Sequence, residues 1–276
     1  MKRRGLRLNS AEVAMAVGSL FFVLPCLVLT LAAFKPDSEI VKFQGLFPRQ
    51  WTLENFREVL GNPEEIPLLK WLLNSILIST STALLVLTVS SLAAWSMARL
   101  ALPGKPIIYA VILGTLMVPG QILLVPVYLL LNTLHLLDTP FALIVPAAGG
   151  AFGVFMLHQF FIGIPRDLED AASLDGCSRI STFWNVIVPL SRAPMSTLFI
   201  FAFVGSWNDF LGPLVFLDSL ERYTLPVGIA LFQTSYYTEY GLTLAASLLC
   251  TIPTFVAFMI FQRQIIQGMA ASGLKE

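Results

Sequence analysis

The ionisable residue that stands out in this sequence is Asp209. It interrupts an otherwise uncharged apolar run at 193–217 and sits beside Trp207, Asn208 and Phe210. An acid at mid-membrane depth costs about 2.5–3.5 kcal/mol on insertion scales, so it is expected to face protein or water. Two readings stand: contact with a polar solute or gate, shared with Asn208 and Trp207, or a structural hydrogen bond to a neighbouring helix near an outer interface. Gln121, next to Pro119-Gly120 in another apolar run, has the same pair of readings, pathway lining or an interhelical hydrogen bond. Asn74, His158 and Gln159 are further polar candidates, His158 reading as a packing or interface residue. Tyr236, Tyr237 and Tyr240 read as an interfacial belt, with a sugar-stacking platform as the alternative. Covalent and metal chemistry find no support. His135 and His158 are 23 positions apart, and Cys26, Cys177 and Cys250 are scattered without metal or disulfide spacing. No Gly-x-Ser-x-Gly nucleophile and no Gly-x-x-x-x-Gly-Lys-[Ser/Thr] phosphate loop occurs. The chain therefore reads as a non-enzyme that binds no metal and no nucleotide cofactor.

The elements that must position these residues follow from composition. The chain is 56% hydrophobic and only 12% charged, against about 25% charge in a soluble domain. Lipid is the solvent that fits such a surface. The 17 basic and 17 acidic residues cancel, which argues against a nucleic-acid partner. A membrane helix needs about 20 apolar residues. Six runs qualify, at 14–34, 71–98, 106–134, 140–163, 193–217 and 241–262, giving a single 276-residue membrane domain. The first run follows Lys2, Arg3, Arg4 and Arg7 as a signal peptide would, but it is too long for a signal core and reads as an uncleaved span. Pro119-Gly120 predicts a kink in the third. With the N-terminus inside, 11 Lys and Arg residues fall on the cytoplasmic side and 6 outside, so both termini are expected in the cytoplasm.

The polar segment 165–192 is the large inner loop of that topology. Pro165 suits a first helical position. Asp167, Glu169 and Asp170 suit the positive end of a helix. Leu168, Ala171 and Ala172 share a face, a small-residue patch open to another protein. Gly176 suits the left-handed conformation that ends a helix, Ser178 suits the cap of a second one, and Phe183, Trp184 and Ile187 share a stripe of that second helix. Pro189 marks the return to the membrane. The spacing predicts a helix-turn-helix, read either as a docking device or as an amphipathic hairpin lying on the membrane.

The stretch Asp170-Ala-Ala-Ser-Leu-Asp-Gly176, followed by Pro189, resembles the EAA loop of ABC importer permeases. Asp170 stands where that pattern begins with Glu, and Glu169 precedes it. Further resemblances occur in order along the chain: Ala33-Phe-Lys-Pro36 with Glu39-Ile40, Trp51-Thr-Leu-Glu-Asn-Phe56, Asn74-Ser75, Pro119-Gly-Gln121, Leu136-Leu-Asp-Thr139, Trp207-Asn-Asp-Phe210 and Phe261-Gln-Arg263 with Gln267-Gly268. Together they are similar to the smaller permease of carbohydrate-uptake importers of the maltose or glycerol-phosphate type. The resemblance implies an all-α membrane protein with six transmembrane helices and a cytoplasmic coupling-helix loop, in a bacterial or archaeal plasma membrane. It implies a coupling role for Glu169, Asp170, Ala171, Ala172, Leu174, Asp175, Gly176, Arg179 and Pro189. It implies four kinds of partner: a second homologous permease, two ATPase subunits that carry the ATP and magnesium, an extracytoplasmic solute-binding protein, and lipid. The tail from Gln267 can reach an ATPase interface in such permeases. A stand-alone secondary transporter is the alternative that Asp209 keeps open.

Overall fold

The computed structural model describes residues 10–42, 45–61, 63–232 and 239–273. Lys2, Arg3, Arg4, Arg7, Tyr236, Tyr237 and the last residues of the tail lie outside the described residues. Every helix and turn of regular structure among the described residues is helical. In chain order these are α1 (Ser10–Ala32), α2 (Asp37–Val41), α3 (Glu54–Gly61), α4 (Leu68–Arg99), α5 (Lys105–Thr115), α6 (Leu124–Thr133) and α7 (Phe141–Ala147). They continue with α8 (Ala151–Phe161), α9 (Asp167–Leu174), α10 (Arg179–Thr182), α11 (Val188–Leu190), α12 (Arg192–Trp207), α13 (Leu211–Phe216), α14 (Leu225–Ala230) and α15 (Tyr240–Gly273). Two units are distinguishable, one of residues 1–68 with 229–252, the other of 69–228 with 253–276.

Several of the apolar runs are not single helices. Helices Val13–Ala32 and Leu68–Arg99 are each long and apolar enough to cross a membrane, and three bent pairs raise this to five if each pair is one span. The third run breaks by 93° between α5 and the 3-10 turn Gly120–Leu123 that leads into α6. The cause is local: Pro119, its φ fixed by its ring, is extended at φ −61 and ψ 127 and has no N–H to give, so the ladder cannot pass through it. The fourth run bends by 41° between α7 and α8. Pro146 sits near the end of α7, and Gly150 is extended at φ −68, ψ 118. The fifth run is α12 and α13 separated by residues 208–210, so Asp209 lies in a helix break rather than within a helix.

In the first unit, α1 exposes apolar side chains all round, Phe21 and Phe22 among them, as lipid-facing surface does. The segment after it is tied by polar contacts. The Asn55 amide donates to the carbonyls of Ala33 (3.0 Å) and Lys35 (2.9 Å), and the Gly241 N–H donates to Asp37 (2.7 Å). Lys35 and Glu39 are both buried and pair at 3.7 Å. The Arg49 N–H, outweighing the cost of burial and joined by the Gln50 N–H and Lys35, holds the Glu39 carboxyl below its ordinary range.

In the second unit the main apolar cluster gathers the C-terminal part of α4 (Ala94, Trp95, Ala98), α8 (Val154, Leu157, Phe161), Phe183, Ile187 and Leu198. Helices in lipid gain little from burying apolar surface and depend on close packing. Gly153 of α8 meets α4 so closely that a Cβ there would collide with the Ser90 side chain. This crossing sets the spacing of α4, α8 and α12.

Candidate functional site

The segment 165–192 folds as a helical hairpin against that cluster. The first helix, α9, starts at Asp167 with Arg166 as its cap, so Pro165 precedes the cap and is not the first helical residue. The Arg166 carbonyl already accepts from the Glu169 and Asp170 amides, which places the helix start two residues later than the proline alone suggests. Asp167, Glu169 and Asp170 occupy its first turn. At its end Gly176 has φ +85. The Cys177 N–H reaches back to the Ala172 carbonyl (2.9 Å) and the Gly176 N–H to that of Ser173 (3.1 Å). This is the paired closure that lets a left-handed glycine satisfy a helix C-terminus. The Ser178 hydroxyl then accepts from the Ser181 N–H (3.2 Å) and caps the second helix, as its type and position predict.

Two expected surfaces are corrected. Ala172 is buried against the chain itself, with 8% exposure, while Ala171 and Leu168 are exposed. Residues 168, 171 and 172 therefore do not form one open patch. The residue presented at the tip is Leu174, 90% exposed. Trp184 likewise leaves the stripe of Phe183 and Ile187: those two are fully buried, and Trp184 is half-exposed with its ring edge-on to Phe183. Residues Phe183–Ile187 form a π-turn, which shifts the helix phase. Pro189, with no N–H to give, lies in the short α11. The chain then bends by 82° into α12 at Ser191, whose hydroxyl donates to the Ile187 carbonyl (2.7 Å).

The hairpin is held from behind by a pair that the sequence reading missed. Arg99, the last residue of α4, contacts Glu169 at 2.5 Å and donates to the Ile164 carbonyl at 2.6 Å. Their side chains are 7% and 18% exposed. Glu169 thus works within the chain and is not a free surface acid. A cavity of about 270 Å³ lies beside this pair, reached by Arg166, Asp170, Cys177 and Arg179.

The intramembrane candidates separate. Trp207 is 2% exposed and stacks on Phe203 at 5.7 Å, so its ring packs within the chain. Asn208 is exposed, and its amide donates to the Val204 carbonyl (2.9 Å), closing the end of α12. Asp209 is exposed and opens on a cavity of about 390 Å³ between α4, α7, α8, α12 and α13, and its Oδ1 accepts from the Gly212 N–H (3.3 Å). Gln121 is exposed in the 3-10 turn and does not line that cavity. His158 packs against Tyr109 with ring centroids 4.3 Å apart and the rings tilted by 38°, and the Gln159 amide donates to the hydroxyl of the same tyrosine (3.4 Å). Asn74 is a loop clamp: its amide donates to the carbonyls of Glu221 and Tyr223.

Residues 87–271 match the family profile described as binding-protein-dependent transport system inner membrane component. The chain belongs to this family and is a membrane protein, a permease subunit of the importer class driven with a binding protein. It is 31% identical to the arabinooligosaccharides transport system permease protein of Bacillus subtilis (strain 168), over 93% of this chain and 92% of the relative. It is 34% identical to the sulfoquinovosyl glycerol transport system permease protein of Agrobacterium fabrum, over 98% and 93%. Among solved structures, a bacterial ABC transporter involved in the import of the acidic polysaccharide alginate contains a chain that superposes with a TM-score of 0.80 at 17% identity, covering 92% of this chain and 94% of that one. This likeness establishes a shared fold.

Proposed function

We propose that the chain is one of two permease subunits of an ATP-driven importer for a saccharide, with the hairpin 165–192 as its ATPase-docking element. The observation that carries this reading is Leu174. A leucine 90% exposed, at the tip of a helix closed by Gly176 and braced by Arg99–Glu169, is apolar surface held rigidly toward a partner. Leu168 and Ala171 flank it, and Asp170, Asp175 and Arg179 add charge around it. The saccharide class is supported by the names of the relatives. Two ATPase subunits bind the ATP and magnesium, a second homologous permease completes the pathway, and an extracytoplasmic binding protein delivers the solute. Six spans cross the membrane: α1, α4, the bent pair α5–α6, the bent pair α7–α8, α12 with α13, and the apolar first half of α15. Both termini and the hairpin lie in the cytoplasm, as the Lys and Arg distribution supports.

The test is Leu174→Arg in the assembled importer. The variant should insert and fold, because the side chain is 90% exposed, yet ATP-dependent uptake should fall at least tenfold and the ATPase should no longer co-purify. Normal uptake with the ATPase retained would remove the hairpin from the coupling role. Ala172→Arg is not an equivalent test, since it would disrupt the hairpin's own packing.

A further inference from the structure

The cavity at Asp209 has a composition that selects among solutes. Its volume of about 390 Å³ falls in the range of small-molecule sites. Most of its wall is apolar, and two aromatic rings, Phe152 of α8 and Phe201 of α12, stand 6.2 Å apart on it. Three polar side chains line it: Asp209, Ser206 and Thr82. Among the described residues, no Lys, Arg or His lines it.

Thr82 is the informative member. It is 5% exposed, and its hydroxyl has no hydrogen-bond partner. A hydroxyl in a membrane helix ordinarily donates to the carbonyl four residues back. Thr88 on the same helix does so to Leu84, and Thr197 on α12 does so to Ala193. Thr82 does not, nor do the buried hydroxyls of Ser79 and Ser90 on the same helix, but of these three only Thr82 lines the cavity, where an occupant can pair with it. Asp209 has one carboxylate oxygen steadied by the Gly212 N–H, and the carboxylate makes no ion pair among the described residues. A carboxylate with no cation beside it accepts hydroxyl protons well and repels anions.

We propose that this cavity is a transit subsite for a neutral saccharide. Asp209 accepts from its hydroxyls, Thr82 and Ser206 exchange hydrogen bonds with its rim, and Phe152 and Phe201 take its C–H face. The inference rests on the reading of the chain as a solute-importing permease and narrows it, because an acid without a cationic counterpart disfavours phosphorylated, sulfonated or uronic solutes. The small number of polar groups also suits a site that must release its occupant, since transport requires binding weak enough to leave.

The experiment is saturation-transfer NMR on the assembled importer in lipid nanodiscs without binding protein. The probes are arabinotriose, maltotriose and glycerol 3-phosphate. Transfer from protein to the ring C–H protons of a neutral trisaccharide is expected, with none to glycerol 3-phosphate. Asp209→Asn should weaken the neutral signal roughly tenfold, the scale of a lost hydrogen bond to a charged group, and should admit glycerol 3-phosphate. Thr82→Val, which keeps shape and removes the hydroxyl, should weaken the neutral signal about threefold to tenfold and leave the anion excluded. This second variant decides the matter if Asp209→Asn fails to assemble. Unchanged signals in both variants, absence of transfer to every neutral probe, or preference for the anion would overturn the subsite. ATP-dependent sugar uptake by the wild-type importer, measured separately, tests the importer reading itself, so failure of the subsite alone leaves that reading intact.

Discussion

At the scale of single residues, Asp138 shows how one carboxylate organises a surface. It sits in the turn after α6 with φ +55, a conformation uncommon for a residue other than glycine but tolerated by Asp. Its side chain accepts from the Asp218 N–H (3.0 Å), the Ser219 N–H (3.0 Å) and the Ser219 hydroxyl (2.5 Å), and Arg222 pairs with it at 3.2 Å. Burial on its own would raise the carboxyl. The Ser219 and Asp218 donors and Arg222 outweigh burial, and the group is held below its ordinary range. The folded value therefore lies below the unfolded value of about 3.9. The stabilisation is complete above the unfolded value and is lost as pH falls through the folded one. The protection factors of the Asp218 and Ser219 amides should hold from neutrality down to about pH 4 and fall below it. Asp138→Ala should lower these protection factors at neutral pH, at a cost of about 2 kcal/mol, and change them little once the carboxyl is protonated. If protection instead declines near neutrality, Asp138 is not the clamp. Nothing in the sequence marked this role: the Leu-Leu-Asp-Thr stretch was visible, but its partners are about 80 positions away. Arg99 and Glu169 were hidden for the same reason. A pair formed by packing leaves no local spacing to read.

At the scale of elements, local rules were legible and phase was not. Gly176 and Ser178 could be placed in advance because a left-handed closure and an N-cap depend on residue type at one position. The faces of the two hairpin helices could not, because they depend on what each helix packs against and on its pitch. The π-turn at 183–187 carries Trp184 off the stripe of Phe183 and Ile187, and the packing of α9 against the chain buries Ala172 while leaving Leu168 and Ala171 exposed. The helix breaks in the membrane runs divide in the same way. Pro119-Gly120 announced one, whereas the break at 208–210 carries no Pro or Gly and was read as continuous apolar sequence. The glycine closure gives a direct prediction. Space beside Gly176 is open, so Gly176→Ala meets no neighbour, and its only penalty is the positive φ. That penalty is about 1 kcal/mol. The Cys177 amide, which closes on Ala172, should then exchange roughly fivefold faster while α12 amides are unaffected. An unchanged Cys177 rate would mean that the hairpin is fixed by Arg99–Glu169 and its buried aromatic side chains, not by the turn.

At the scale of the whole molecule, hydropathy and charge divide the work. Apolar composition assigns the chain to lipid, and the bent pairs show why hydropathy alone overstates how simply it crosses. A run of about 20 apolar residues licenses a span, not a straight helix. Orientation rests on a different quantity, the placement of Lys and Arg. Arg99, Arg166 and Arg179 converge on the hairpin and its cavity, whereas the segment containing Glu221 has Lys70 and Arg222 paired with acids. Arginines therefore gather at the hairpin, the arrangement that the positive-inside tendency associates with a cytoplasmic face. Labelling can decide it. With Cys26, Cys177 and Cys250 changed to Ser, single cysteines at Leu174 and Glu221 report the two ends, since both side chains are largely exposed. In right-side-out vesicles a membrane-impermeant maleimide should modify Glu221→Cys and spare Leu174→Cys. Inverted vesicles stripped of peripheral ATPase should give the reverse. If both cysteines react from one side, the span count between them is not odd, and α12 with α13, broken at Asp209, must be a re-entrant segment in place of a crossing.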